Sequence, residues 1–236
     1  MANTREMISS NQLFFSLLGG IIPAVVWLLF WLREDARRPE PRGLLILTFV
    51  CGMIAVPLVI PFQKWTMFPD NQLLTFFLWA TLEEGFKFIA ALGAVLWRKE
   101  DDEPLDPLIY MMTVALGFAA VENTLFILQP LLSNNITESL LTGNIRFVGA
   151  SLLHTISSAT IGIAMGLSFY KAKATKWASL LAGFILAVVL HTTFNFFIIR
   201  QAPSITIATL GFVWIAIVIL MLFFERIKKV YPVNPI

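Results

Sequence analysis

Residues 13–32 of this chain read LFFSLLGGIIPAVVWLLFWL, a run without one charged side chain. An α-helix of about 20 residues extends about 30 Å, which is the thickness of the hydrocarbon core of a bilayer. Because that core offers the backbone no hydrogen-bonding partners, such a segment is expected to be helical. The run therefore predicts one membrane-spanning helix.

Six further apolar segments predict that the chain crosses the membrane about seven times. The seven segments cover approximately residues 11–32, 43–62, 72–97, 106–130, 145–170, 177–199 and 203–224. Only 14% of the 236 residues are charged, against about 25% in a soluble domain. This composition excludes a soluble globular domain, a disordered chain and a disulfide scaffold, and such long continuous runs are not typical of a β-barrel. We predict an all-α, polytopic transmembrane helical bundle in the cell membrane, with residues 1–236 forming a single integral membrane domain.

The basic residues predict the orientation of the bundle. Twelve lie on the side reached after spans 1, 3, 5 and 7, and four lie on the other side. Since cytoplasmic loops are rich in Lys and Arg, we expect the N-terminus outside and the C-terminus in the cytoplasm. The twelve are Arg33, Arg37, Arg38, Arg42, Arg98, Lys99, Lys171, Lys173, Lys176, Arg226, Lys228 and Lys229; the four are Arg5, Lys64, Arg146 and Arg200. The longest outer loop is expected at about Leu131–Asn144. The net charge of +2 does not indicate a nucleic-acid partner.

Aromatic residues near the span ends are expected to lie at the membrane interfaces. They are Trp31, Trp65, Trp97, Tyr170 and Trp177.

Polar side chains inside the apolar spans are the strongest functional signal in the sequence. A charged group in a span costs several kcal/mol unless it is buried and paired. The spans nevertheless contain both histidines of the chain, three carboxylates, one ammonium and two amides, namely Glu83, Glu84, Lys87, Glu122, Asn123, His154, His191 and Asn195.

Four of these residues, from four different spans, fall into one layer. At 1.5 Å per residue from the outer span ends, Glu83 lies about 16 Å and Glu122 about 11 Å deep. His154 lies about 13 Å and His191 about 12 Å deep by the same rise. Since two of these spans run inward and two run outward, the agreement does not depend on which face is outside. We interpret the layer as one polar site in the outer half of the bundle.

Local spacing indicates what this site can do. Glu83 and Lys87 are four residues apart and share a helix face, and Glu84 lies three residues before Lys87. The ammonium can balance the charge of the carboxylate pair, so that one carboxylate is free to take a proton from water. His191 and Asn195 also share a face, and an amide such as that of Asn195 can stabilise an oxyanion.

Three classes of function are compatible with these residues. An intramembrane hydrolase would use carboxylates, histidines and amides to activate water. An ion-coupled transporter also needs intramembrane carboxylates, although no repeat or mid-span proline at the site supports it. A membrane scaffold would use the layer only for packing. A zinc ion held by His154, His191 and Glu122 is possible, so the expected cofactor is either none or one Zn²⁺.

Four short motifs resemble those of the PrsW intramembrane proteases. Residues 83–87 read EEGFK and resemble the family's Glu-Glu-x-x-Lys motif, and residues 118–123 read FAAVEN and resemble its Phe-x-x-x-Glu-Asn motif. His154 and residues 191–195, which read HTTFN, resemble its two later histidine motifs. The resemblance covers approximately residues 72–199, which would be the protease core.

The resemblance implies an intramembrane endopeptidase in the superfamily of the CAAX prenyl endopeptidases. It implies that one of the paired glutamates, Glu83 or Glu84, activates water. From the residues themselves we further expect that Glu122 shares in proton transfer and that Asn195, alone or with Asn123, stabilises the oxyanion. His154 and His191 would orient water or hold a metal. The implied substrate is a single-pass membrane protein, such as an anti-sigma factor cut on its extracytoplasmic side.

The chain departs from the prenyl endopeptidase pattern in two places. Lys87 stands where an Arg one residue later is usual, and Glu122-Asn123 stands where a His is usual. The superfamily also contains a non-proteolytic gamma-secretase subunit, so the fold alone does not establish catalysis.

Overall fold

A computed structural model of the chain describes residues 9–33, 38–198 and 203–231, with the side chains of residues 203–206 outside the described set. Within these ranges the protein is all-helical and contains no strand. The helices are α1 Ser10–Leu32, α2 Arg42–Trp65, α3 Gln72–Ala91, α4 Asp106–Leu132, α5 Ile136–Ile145, α6 Ser151–Leu167, α7 Lys173–Ile198 and α8 Pro203–Ile227. Three of the basic residues used to predict the orientation, Arg5, Arg37 and Arg200, lie outside the described residues.

Two helices end in π-helical turns. Leu92–Leu96 extends α3, and Arg146–Ala150 joins α5 to α6, so that Ile136–Leu167 is one continuous helix of 32 residues. The side-chain oxygen of Asn135 caps this long helix by accepting a hydrogen bond from the backbone N–H of Glu138 at 3.1 Å. The prediction of an outer loop over Leu131–Asn144 is therefore wrong for its second half, which is helical.

The protein is a multi-pass integral membrane protein. Six described helices are long and apolar enough to cross a bilayer, namely Ser10–Leu32, Arg42–Trp65, Asp106–Leu132, Ile136–Leu167, Lys173–Ile198 and Ile207–Ile227. The one predicted span outside these six is the third, which corresponds to α3, and it is less apolar because it carries Glu83, Glu84 and Lys87. The all-helical membrane architecture is confirmed, whereas seven spans and their orientation remain predictions.

Helix α4 forms the centre of the bundle and is buried without interruption from Asp106 to Ala120. It packs against α1, α2 and α6. A Cβ atom at Gly117 would lie 2.0 Å from the backbone oxygen of Phe49 on α2, and one at Gly52 would lie 2.1 Å from that of Val114 on α4. Only glycine permits the backbones of α2 and α4 to approach this closely. The contact also brings α3, which follows α2 in the chain, near to α4.

The predicted interfacial aromatic residues divide into two groups. Trp65, Trp97, Tyr170 and Trp177 are exposed, as expected. Trp31 is buried instead, and its ring stacks on Phe224 of α8 with the ring centroids 5.7 Å apart. The prediction for Trp31 is wrong because α1 and α8 pack together at this end of the bundle, which covers the ring.

Candidate functional site

Four helices bring most of the predicted polar residues into one buried cluster. Helix α3 provides two carboxylates and an ammonium, α4 a carboxylate and an amide, and α6 and α7 one imidazole each. The cluster contains Glu83, Glu84, Lys87, Glu122, Asn123, His154 and His191, to which the structure adds Gln63, Arg146, Ser151 and Ser158. Hydrogen bonds link these residues across α2, α3, α4, α6 and α7.

Glu84 is the most completely bonded carboxylate of the cluster. Its Oε1 accepts from Lys87 Nζ at 2.6 Å and lies 2.8 Å from His191 Nδ1. Its Oε2 accepts from the hydroxyl of Ser158 at 2.7 Å. The Glu84 and Lys87 side chains are fully buried. Three donors hold Glu84 in place, so it anchors the neighbouring groups and has no oxygen free for a substrate.

The two histidines use opposite nitrogens to contact carboxylates. His191 faces Glu84 through Nδ1, whereas His154 lies 2.9 Å from Glu122 Oε2 through Nε2. Lys87 Nζ lies 3.0 Å from the remaining ring nitrogen of His154, Nδ1. Since an ammonium can only donate, His154 is neutral with its proton on Nε2, and Lys87 donates to Nδ1.

Glu83 differs from Glu84 because one of its oxygens is unoccupied. Oε1 accepts from the amide of Gln63 on α2 at 2.8 Å. Oε2 is buried and has no hydrogen-bond partner among the described residues. It lies 3.5 Å from His191 Nε2 and 4.0 Å from His154 Nδ1. A buried carboxylate oxygen without a donor is unusual, and here it faces two imidazoles.

Arg146 lies at the end of the cluster nearest to the turn between α5 and α6. It forms an ion pair with Glu122, donates to Asn123 Oδ1 at 2.6 Å, and lies 3.9 Å from the ring centre of Phe126. The amide nitrogen of Asn123 donates to the hydroxyl of Ser151 at 2.9 Å. Arg146 was counted among the basic residues of the outer side at the start of a span, and it lies in the π-helical turn before α6, where it contacts both Glu122 and Asn123.

Asn195 is the one predicted site residue that the structure leaves outside this hydrogen-bonded cluster. It lies one helical turn beyond His191 on α7 and is half-buried. Its side chain forms no hydrogen bond with a described residue. Its amide is therefore available to a bound molecule, and its predicted role at an oxyanion remains a prediction.

The geometry groups Glu83, rather than Glu122, with the two histidines as possible metal ligands. One ligand atom from each of Glu83, His154 and His191 lies within 4.8 Å of the others. Each imidazole contacts a carboxylate through its other nitrogen, as metal-bound histidines usually do. However, the ammonium of Lys87 lies against His154 Nδ1, the lone pair that a metal would need. The donor set therefore fits a metal ion only where Lys87 withdraws from His154.

Sequence reasoning missed Gln63 and Arg146, which both contact site carboxylates. Gln63 lies one residue beyond the predicted end of span 2, and Arg146 was counted among the outer basic residues. The sequence feature that could have indicated both residues is a polar side chain at the end of an apolar span. Their partners could not be deduced, because Gln63 reaches Glu83 only through the packing of α2 on α3.

A comparison with protein families gives a match to the PrsW-protease model, described as the PrsW family of intramembrane metalloproteases, over residues 40–224. The chain is also similar to Protease PrsW of Oceanobacillus iheyensis, with 28% identity over 227 residues that cover 92% of this chain and 98% of the relative. Protease PrsW of Geobacillus kaustophilus is 29% identical over 200 residues, covering 79% and 81% of the two chains.

Protease PrsW of Bacillus subtilis is 27% identical over 197 residues, which cover 78% of this chain and 83% of the relative. No solved structure matches the chain. The similarity therefore spans the cluster and most of the bundle, and it confirms the resemblance drawn from the four motifs.

Proposed function

This chain belongs to the PrsW family of intramembrane proteases, and from that membership we propose that Glu83 is the general base that activates water in peptide-bond hydrolysis. The observation that carries the proposal is the buried Oε2 atom of Glu83, which has no hydrogen-bond partner among the described residues and faces both histidines. A water molecule in this position would find one strong acceptor at Oε2. A second acceptor is the Nε2 lone pair of His191.

The proposed reaction uses one water molecule and moves one proton. Glu83 Oε2 takes a proton from the water as the water oxygen bonds to the carbonyl carbon of the scissile peptide. The electron pair of the carbonyl double bond moves to its oxygen. Glu83 then returns the proton to the peptide nitrogen as the carbon–nitrogen bond breaks, which leaves a carboxylic acid and an amine.

The surrounding charges support the developing oxyanion. Lys87 is the nearest cation, because its ammonium contacts His154 Nδ1 on the same side of the cluster as Glu83. The Asn195 amide, one turn beyond His191, is proposed as the second donor. Asn123 accepts from Arg146 and donates one amide N–H to Ser151, which fixes the orientation of its side chain. Its second amide N–H is a further candidate donor to the oxyanion.

A metal-assisted version of the reaction has one observation in its favour. Each imidazole contacts a carboxylate through one nitrogen and turns the other toward Glu83. Glu83, His154 and His191 would hold the ion, and a bound zinc ion supplies a Lewis acid that polarises a carbonyl. We favour the metal-free reaction because Lys87 lies against His154 Nδ1.

The proposed substrate is a membrane-anchored protein with a single spanning helix, such as an anti-sigma factor. The cluster lies inside a helical bundle at the depth of the outer half of the bilayer, by the predicted orientation. A peptide bond can reach it only where the substrate helix unwinds near its outer end. Such a cut is of the site-1 type, and it precedes release of the cytoplasmic part of the substrate.

The experiment is cleavage of tagged single-pass membrane proteins, led by an anti-sigma factor from the same cell, during co-expression. Wild type is compared with Glu83→Gln, which keeps the shape of the side chain but removes the base. The control is Glu100→Gln, which makes the same chemical change at an exposed glutamate of the α3–α4 loop. Gel filtration in detergent checks that all three proteins are folded.

We expect wild type and Glu100→Gln to cut and a folded Glu83→Gln to lose at least 100-fold in rate. Cleavage at the wild-type rate by Glu83→Gln would overturn the assignment of the base. If folded wild type cuts none of the candidates, the proposed substrate class is wrong.

A further inference from the structure

A second pocket, with a mostly apolar lining and charged groups at one side, lies at the opposite end of the bundle from the α5 cap, where α3 and α6 end and α4 and α7 begin. It has a volume of about 300 Å³. Its charged residues are Asp101, Lys173 and Lys176, and its deeper wall is apolar, with Phe88, Leu92 and Leu180. None of these residues belongs to the Glu83 cluster.

The pocket has the polarity gradient of a phospholipid. The apolar wall comes from within α3 and α7 and from the π-helical turn that extends α3, whereas the three charged residues come from the α3–α4 loop and from the first turn of α7. Trp97 and Trp177 also line the pocket and are 78% and 60% exposed. Tryptophans in such positions are typical of the level of the lipid headgroups.

The two lysines of the pocket, Lys173 and Lys176, have no direct ion-pair partner among the described residues, although the charge of Lys176 acts on the nearby Asp101 carboxylate. Lys176 Nζ lies 5.3 Å from the centre of the Phe169 ring, which holds it beside the opening. Two ammonium groups one helical turn apart at the start of α7 match the charge of one phosphate.

Asp101, the acidic residue of the pocket, lacks a hydrogen-bond donor. Asp101 Oδ1 is buried and has no hydrogen-bond partner among the described residues. A buried carboxylate oxygen without a donor is costly, so a ligand that brings N–H donors to it gains affinity. The pocket thus presents cations for an anion and, beside them, an acceptor for a cationic donor.

We propose that this pocket binds a phospholipid with a phosphoethanolamine headgroup. Lys173 and Lys176 bind the phosphate, Asp101 Oδ1 accepts from the ammonium, and the acyl chains lie along Phe88, Leu92 and Leu180. The primary ammonium matters because it carries N–H donors, which a choline headgroup lacks. The site is separate from the proposed catalytic cluster and does not depend on it.

Native mass spectrometry of the delipidated protein in detergent tests this assignment. The protein is mixed with equal amounts of phosphatidylethanolamine and phosphatidylcholine of the same chain length, and in parallel with phosphatidylglycerol. The variants are K173Q/K176Q, which removes the phosphate contacts, and D101N, which removes the carboxylate. The control K171Q/K229Q removes two other exposed basic residues, one just before α7 and one just after α8.

We expect wild type to bind phosphatidylethanolamine at least fivefold better than phosphatidylcholine. K173Q/K176Q should lose at least fivefold in binding of phosphatidylethanolamine, and D101N should bind the two lipids equally. The control should behave like wild type, and gel filtration should show all variants folded.

Three results would overturn the assignment. They are equal binding of both lipids by wild type, an equal loss in K171Q/K229Q, and preferential binding of phosphatidylglycerol that D101N leaves unchanged. A thermal-unfolding series gives a second readout, because a bound lipid stabilises the folded state. Phosphatidylethanolamine should raise the midpoint of wild type and of K171Q/K229Q, but not that of K173Q/K176Q.

Discussion

Gln63 of α2 donates to Oε1 of Glu83 on α3 at 2.8 Å, and so one oxygen of this carboxylate is fixed while the other remains free. The backbone oxygen of Gln63 accepts in turn from the indole N–H of Trp79 at 2.9 Å. Gln63 is thus held on α3 by two hydrogen bonds. It acts as a positioning residue, because it directs Glu83 Oε2 toward the histidines without touching the substrate itself.

Gln63→Leu should slow peptide cleavage by about 10- to 100-fold, the range observed when a supporting partner of a functional side chain is lost. The reason is that Glu83 loses its fixed rotamer while the carboxylate remains. Steady-state kinetics should show the loss in kcat, with KM little changed. Gln129→Leu, at an exposed position of α4, is the matched control. A loss confined to KM would contradict a positioning role.

Arg146→Met should destabilise the folded protein by about 3 kcal/mol, since it leaves the Glu122 carboxylate without its guanidinium partner. Thermal unfolding in detergent measures this loss, and the control is Arg226→Met at an exposed position of α8. Combining Arg146→Met with Glu122→Gln should recover part of the stability, because the unpaired charge is then gone. Additive losses in the double variant would show that Arg146 and Glu122 do not interact.

Much of the fold could be predicted from the sequence, because a bilayer imposes helices on long apolar runs. The exception is α5, whose residues are polar enough to resemble a loop. A helix-start signal was nevertheless present, since Asn135 caps the helix and Glu138 follows three residues later, a spacing typical of helix N-termini. The burial of Trp31 could not be predicted, because it depends on the packing of α8 against α1.

Most residues of the candidate site could be predicted from the sequence, but the hydrogen bonds that join them could not. The common depth of Glu83, Glu122, His154 and His191 in their spans indicated these residues, because intramembrane polar groups are rare and the helical rise fixes their depth. It could not distinguish Glu83 from Glu84. That difference depends on Ser158 and Gln63, which come from separate helices and complete the hydrogen bonds of the two carboxylates differently.

Asp101→Asn should stabilise the lipid-free protein at pH 8 and leave its stability unchanged at pH 4. Burial, with Asp106 and Asp102 nearby and Lys176 opposing them, raises the pKa of Asp101 from 3.8 to about 7. The folded state therefore holds this proton more tightly than the unfolded chain, and stability is lost as the pH rises from about 4 to about 7. Allowing for partial exposure, the gain at pH 8 is about 1 kcal/mol.

Thermal midpoints of wild type and Asp101→Asn at the two pH values measure this effect. Asp70→Asn, at an exposed aspartate of the α2–α3 turn, is the control and should change neither midpoint. Adding phosphatidylethanolamine should reduce the advantage of Asp101→Asn at pH 8, because the lipid ammonium then compensates the carboxylate. An equal gain at pH 4 and pH 8 would show that the ionisation of Asp101 is not the cause.

Removal of metal ions should leave peptide cleavage by wild type unchanged within about twofold, because the ammonium of Lys87 occupies the position at His154 Nδ1 that a metal ion would need. The measurement is cleavage by the purified protein after treatment with a zinc chelator and after addition of zinc. Loss of activity with full recovery on zinc addition would contradict the metal-free reaction and make Glu83 a ligand instead of the base. Lys87→Met provides a further check, since it uncovers His154 Nδ1 and should increase zinc binding at least tenfold over wild type if the three donors are otherwise in place.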